Sequence, residues 1–268
     1  MKCTRREALG AVGIAAGSCI LSSCAPQEMK TPQSKTGLDV VSWPYHELDP
    51  QTTAERAYHH HHEGHCMYGV FKSIIGQLAD RYGEPYRSFP CGMMAYGAGG
   101  VAGWGSLCGA LNGAAAVISL FTSGREQRTI LTNRLFLWYE QTELPVHIPT
   151  NPKLDMKIPV SIAHSVLCHL SVSVWHKASG FPVAGKEQGE RCARLTADTA
   201  RQTVIVLNEG LSGRAVRPAT EDNQTSQCNT CHGRDGDRKD TLGRMTCGRC
   251  HSSLSNRHPD VSTKPRKP

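Results

Sequence analysis

Apolar residues recur along this chain at helical spacing, and polar or proline-rich stretches separate the runs. Across residues 65–82 the positions Met67, Val70, Phe71, Ile74, Ile75 and Leu78 fall on one stripe of a 3.6-residue helix. Residues 107–121 repeat the pattern with Leu107, Leu111, Ala114, Ile118 and Phe121, and their Gly and Ala neighbours allow close helix–helix approach. Ile130, Leu131, Leu135 and Trp138 mark a helix over 130–139, and two more are predicted over 162–177 and 187–207. The stretch 144–159 holds four prolines and predicts a loop. Upstream, Pro44 keeps Trp43 extended, while Asp49 and Pro50 supply an N-cap and a first helical residue. After Gly210 the chain turns to Gly, Asn, Asp and Arg, with too few apolar residues for a core. The fold class is therefore mainly α, a helical body of about five helices followed by an irregular C-terminal segment.

That C-terminal segment carries the chemistry. It contains two CxxCH pentapeptides, Cys228-Asn229-Thr230-Cys231-His232 and Cys247-Gly248-Arg249-Cys250-His251. Paired thiols at this spacing add across the two vinyl groups of one haem, and the adjoining His232 or His251 becomes the proximal iron ligand. Two Cys-x2-Cys pairs fifteen residues apart also match a zinc ribbon, with four thiolates on one ion. A ribbon needs no His after each pair, and with 13 His in 268 residues both would follow by chance in roughly one case in 400. Two covalent haem c groups are the expectation, on Cys228 and Cys231 and on Cys247 and Cys250.

The N-terminus agrees with that choice. Thr4-Arg5-Arg6-Glu7-Ala8-Leu9 reads as a twin-arginine export signal, and residues 9–21 form an apolar run too short to span a membrane. Leu21-Ser22-Ser23-Cys24 resembles a bacterial lipobox, with Cys24 the first mature residue and a lipid anchor; a plain cut nearby is the alternative. Haem is attached to CxxCH outside the bacterial cytoplasm, so a periplasmic or otherwise exported location is expected. The chain divides into an export signal (1–23), a polar linker (24–42), a helical domain (43–212) and a dihaem segment (213–268).

Charge adds little. The formal charge of +7 falls to +5 when Lys2, Arg5, Arg6 and Glu7 leave with the signal. Two haems bring about four propionates, leaving the holoprotein close to neutral, so the basic balance gives no argument for nucleic acid. The Lys- and Arg-rich run at 264–268 is a solvated tail.

Cysteine usage narrows the helical body. With the signal, lipobox and haem cysteines set aside, Cys66, Cys91, Cys108, Cys168 and Cys192 remain of the twelve. An odd number in an exported protein leaves one thiol over in a pure disulfide framework, and it permits a four-thiolate iron–sulfur cluster plus one spare. Disulfides and plain core packing stay open on spacing alone. All but Cys91 lie on or at the start of a predicted helix, with Cys168 one turn after His164 on one face.

Taken together, the motifs resemble the split-Soret cytochrome c family, within the wider redox group with a C…CGAxxG…C…C pattern. The matching pieces are Trp43-Pro44-Tyr45-His46-Glu47-Leu48-Asp49-Pro50, the Cys66 helix, and the diagnostic stretch from Gly100 to Cys108-Gly109-Ala110-Leu111-Asn112-Gly113-Ala114. Ser165-Val166-Leu167-Cys168-His169, Glu190-Arg191-Cys192 through Asp198, and both CxxCH motifs complete it. The resemblance implies a homodimer with bis-histidine haems clustered at one end and a [2Fe-2S] cluster on Cys66, Cys108, Cys168 and Cys192. Cys91 is then the spare. The sequence departs from the pattern after Trp175, where His176 stands in the place expected for a cysteine, which raises His176 as a substitute ligand.

Candidate distal haem ligands are His46, His169 and His258. His46 lies on an extended arm, beside Trp43 and Tyr45, that is free to cross to another subunit, and the resemblance implies such a donation. The run His59-His60-His61-His62 reads as a solvated helix surface. Bis-His ligation lacks the Met sulfur that raises haem potential, so low potentials are expected. No acid, base or nucleophile cluster marks a substrate pocket. An electron-transfer protein of an anaerobic chain, working with redox protein partners, is the reading. A haem reductase, a thiol redox sensor and a zinc-ribbon module are its rivals.

Overall fold

The computed structural model describes residues 42–212 and 223–251, which lie in one compact unit. The export signal, the Cys24 lipobox, most of the linker and His258 lie outside the described residues. Five α-helices build the body: α1 (Pro50–Tyr82), α2 (Gly109–Phe121), α3 (Arg125–Gln141), α4 (Cys168–Ser179) and α5 (Lys186–Leu211). A short 3-10 helix, Cys91–Gly97, follows α1. Among the described residues, extended pairing is limited to the isolated antiparallel bridges Leu107–Leu167 and Leu144–Ser161. No described helix is long and apolar enough to cross a membrane.

α1 begins where the sequence places it. Asp49 Oδ1 accepts a 2.7 Å hydrogen bond from the Thr52 amide, satisfying one of the four unpaired N–H groups of the first turn. The helix is two segments in line: Gly64 (φ −148°) and His65 (φ 64°) break the helical path, and the second segment restarts at Cys66. Its apolar stripe, Val70, Phe71, Ile74, Ile75 and Leu78, is buried against α2 and α5. α2 comes close enough for a Cβ on Gly113 to strike the Met67 carbonyl, so the small residues in this helix set the packing distance.

Buried polar contacts fix the proline loop to the helices. Asp198 Oδ2 accepts from the Val146 amide at 2.8 Å. The Tyr58 hydroxyl accepts from the Lys153 amide and donates to Glu190, which is also gripped by Arg194 Nε at 2.8 Å.

Four expectations need correction. The helix predicted from residue 162 starts at Cys168, because residues 161–167 run extended, bridging Leu144 and Leu107, and His164 takes φ +48°. His164 is therefore not on a helical face with Cys168. The C-terminal segment is not wholly irregular: Asn223–His232 forms a ten-residue helix, α6, enclosing the first CxxCH. The aromatic arm is not free. Trp43 donates its amide to Leu120 O and packs edge-on against Tyr86 and Phe89, while the Tyr45 hydroxyl donates to Asn208 Oδ1 at 2.6 Å. Within the histidine run, His61 is not solvated; it is 6% exposed, and burial pushes its pKa down to about 3.

Candidate metal centres

Three of the four cysteines expected to hold a cluster sit at helix starts. Cys66 opens the second segment of α1, Cys108 is the residue capping α2, and Cys168 is the first residue of α4. Each helix N-terminus presents unpaired amides and the positive end of its dipole, a pull toward thiolate that is outweighed at Cys66 by Cys192 and burial and at Cys108 and Cys168 by burial. Cys192, on the second turn of α5, completes the set. The extended segment before α4 makes this meeting possible. Cys108 N–H donates to Val166 O, Cys168 N–H to Ser106 O and His169 N–H to Gly105 O, all within 3.0 Å, which ties the start of α4 to the start of α2.

The four sulfurs feel one another. Cys66 and Cys192 act on each other: Cys192, then burial, raises the pKa of Cys66, while Cys66, with Arg191, drives Cys192 toward the thiolate. Burial pushes the Cys168 thiol up to about 12, and also raises Cys108, with Cys192 a further contribution to both. Among the described residues no three His, Cys, Asp or Glu side chains are gathered tightly enough to hold a single ion. A two-iron cluster divides four thiolates between its irons and does not require three around one point, whereas a ribbon zinc needs four around one.

The surroundings test whether a metal–thiolate group fits. Arg191 is only 2% exposed, and no carboxylate among the described residues lies within ion-pair distance of it. Its Nη2 donates to Ser171 Oγ at 2.8 Å, its Nη1 approaches Cys192 Sγ at 3.9 Å, and its buried Nε has no partner. Gln188 Nε2 donates to the same sulfur at 3.0 Å. A buried guanidinium requires counter-charge. Among the described residues the counter-charge within its reach is sulfur: it approaches Cys192, the one thiol driven toward its anion, so the donor set fits an anionic iron–thiolate centre. His176 is not in this set: it is exposed, and its Nδ1 contacts Phe181 O at 2.6 Å. Cys91 lies apart in the 3-10 helix, its thiol pushed up by burial.

The haem motifs lie beyond. Cys228 and Cys231 stand three residues apart on α6, which puts both on one helical face. His232 Nδ1 meets Asp240 Oδ1 at 2.7 Å, and the 233–241 turn is tied back by Arg238 N–H to Cys231 O and Thr241 N–H to His232 O. With Nδ1–H donated to a carboxylate, Nε2 is left as the lone-pair donor an axial ligand needs. The second motif opens as a 3-10 turn, Cys247–Arg249, with His251 exposed and Gly248 lying against the Gln224 side chain.

A cleft of about 390 Å³ separates the motif from the body. It is walled by Glu140, Gln141 and His164 on one side and by Gln224, Gly248 and Arg249 on the other. His164 was missed as a residue facing the second CxxCH motif. Its left-handed backbone, held by its N–H on Glu140 O, turns it out of the helix predicted from sequence, and periodicity carries no signal for such a turn. Burial, then Arg249, lowers its pKa, favouring the neutral imidazole. Of the expected distal ligands, His46 stacks on Tyr82 at 3.8 Å within its own chain, and His169 is exposed beside Gly105.

Comparison with known proteins agrees with these features. Residues 68–205 match the family described as "Putative redox-active protein (C_GCAxxG_C_C)", a window containing Cys108, Cys168 and Cys192. The chain is 39% identical over 222 residues to the split-Soret cytochrome c of Desulfovibrio desulfuricans (strain ATCC 27774 / DSM 6949 / MB), covering 80% of this chain and 78% of the relative. It also resembles a solved structure of the split-Soret cytochrome c from Desulfovibrio desulfuricans ATCC 27774, described as showing a novel iron centre. The TM-score is 0.76 at 36% identity, over 83% of this chain and 95% of the other.

Proposed function

The chain belongs to the split-Soret cytochrome c family, within the C_GCAxxG_C_C redox group, and from that premise we propose an exported dihaem electron carrier with an additional iron–sulfur cluster. A cytochrome electron-transfer role follows from membership. In the finer reading Cys228 and Cys231 hold one haem c and Cys247 and Cys250 the other, with His232 and His251 proximal. Cys66, Cys108, Cys168 and Cys192 hold a [2Fe-2S] cluster. The observation carrying it is the pairing of two CxxCH motifs with four cysteines that meet beside a buried, carboxylate-free Arg191.

Bound haem and cluster supply one-electron chemistry; the polypeptide holds, orients and insulates them. His232 is oriented by Asp240, and His164 faces the second motif as a distal-ligand candidate alongside His46, His169 and His258. Bis-His ligation sets low potentials. The twin-arginine leader supports export, Cys24 supports a lipid anchor outside the cytoplasmic membrane, and family membership supports a homodimer exchanging electrons with redox protein partners.

A second reading, a thiol redox sensor, is favoured by the Cys66–Cys192 contact alone. One experiment separates them: expression with the native leader in a haem-c-competent host, optical spectra of both oxidation states, and iron quantitation. A split Soret band with more than two irons per chain supports the carrier. Two irons with titratable thiols supports the sensor, and absence of haem sinks both.

A further inference from the structure

A buried polar network adjoins the cysteine set. Arg191 Nη2 donates to Ser171 Oγ at 2.8 Å, and Ser171 Oγ lies 2.8 Å from the Tyr139 hydroxyl, a contact in which either hydroxyl can donate. Tyr139 is fully buried beside Cys108; burial raises the pKa of that thiol and the tyrosine hydroxyl opposes the rise. Arg191 also reaches Cys192 directly through Nη1 at 3.9 Å, beside the Gln188 amide at 3.0 Å. The guanidinium therefore addresses Cys192 directly, and Ser171 links it to Tyr139, the neighbour of Cys108.

From this arrangement the structure assigns Arg191, with Tyr139 and Gln188, as the positioning residues that set the reduction potential of the cluster held by Cys66, Cys108, Cys168 and Cys192. This rests on the cluster reading given above. Four thiolates on a two-iron, two-sulfide core carry a net charge of −2 when oxidised and −3 when reduced, by formal charge counting. A fixed positive charge and donors aimed at the sulfurs favour the more negative state, so they raise the potential. The burial of Arg191 makes the effect strong, because water does not screen it. Among the described residues no carboxylate pairs with the guanidinium, so its charge is not neutralised before it reaches the sulfurs.

The test is an EPR-monitored redox titration of the full holoprotein, with the two haem potentials followed optically as internal references. Arg191→Met is expected to lower the cluster's reduction equilibrium about tenfold or more, about 59 mV per decade for one electron. Arg191→Lys, keeping the charge without the planar fork, should recover part of that loss. Tyr139→Phe and Gln188→Leu each remove a single donor with little change of volume, and each is expected to lower it roughly two- to fivefold. They decide the matter even where Arg191→Met does not fold. Shifts of less than about twofold in Tyr139→Phe and Gln188→Leu, with the cluster signal intact, overturn the assignment. A wild-type protein with haem and no cluster signal overturns the cluster reading itself, and the assignment with it.

Discussion

His232 and Asp240 are joined by a 2.7 Å contact between Nδ1 and Oδ1, although seven residues lie between them in the chain. With haem bound as proposed, the carboxylate would strengthen the imidazole as a donor and so stabilise ferric over ferrous iron. Asp240→Asn is expected to raise the potential of one haem by about two- to tenfold in its reduction equilibrium, because the Asp240 side chain is half exposed and partly screened. The other haem stays where it was. Potentiometry followed in the visible bands checks this, and equal shifts in both haems would count against it.

The distal histidines can be separated by mutation. His164 is the one facing the second CxxCH across the cleft, whereas His169 is exposed and not part of that wall. His164→Ala should convert one haem from low to high spin and His169→Ala should convert none. His46→Ala should weaken one low-spin haem and the dimer together. EPR and size-exclusion chromatography report both; a His46 variant of unchanged spectrum and size would remove it from the list of ligands.

Gly109 allows α2 to start next to the Cys91–Gly97 helix: a methyl there would collide with the Gly97 carbonyl and press on the Cys66 side chain. Gly109→Ala should cost about 1–3 kcal/mol by overpacking. It should also cut iron beyond the haem complement, since Cys66 and Cys108 are the residues pushed apart. Denaturant melts and iron analysis of the same preparation check both.

Burial pushes the Asp198 carboxyl up to about 6. An unfolded chain releases that proton near pH 3.9. Between those values the folded state binds more protons, so stability falls as pH rises from about 4 to about 6 and stays lower above. Asp198→Asn keeps an acceptor for the Val146 amide and removes the slope. It should be more stable than the parent at pH 7.5 by about 1–2 kcal/mol, with the gap closing by pH 4. Chemical denaturation at the two pH values measures it.

Local patterns predicted much of the body. The Val70, Phe71, Ile74, Ile75 and Leu78 stripe and the Asp49–Pro50 start are where periodicity and capping put them, because both are set by neighbours in sequence. The start of α4 was not legible, since Leu167 pairs with Leu107 sixty residues away, and that pairing overrides local helical spacing. The same long-range contact hid His164. His61 was misread because a run of histidines looks polar until a helix buries one of its faces. Apolar character alone does not separate core from surface along residues 104–120: Trp104 is 86% exposed while Leu111 and Ile118 are fully buried. Composition and resemblance suggested that Cys66, Cys108, Cys168 and Cys192 act together; they gave no sign of Arg191 and Tyr139 beside them, because nothing in their local sequence distinguishes a buried donor from an ordinary helical residue.

His164 and Cys168 sit at opposite ends of one five-residue strap, held along its edge by Ser106, Glu140 and Leu107. Four peptide links span at most about 14 Å between their Cα atoms. On the reading proposed here one end grips the cluster and the other looks onto a haem, so the strap is a covalent wire between two redox centres. On that reading, any shift of Cys168 on binding iron would reach His164 through only four peptide links.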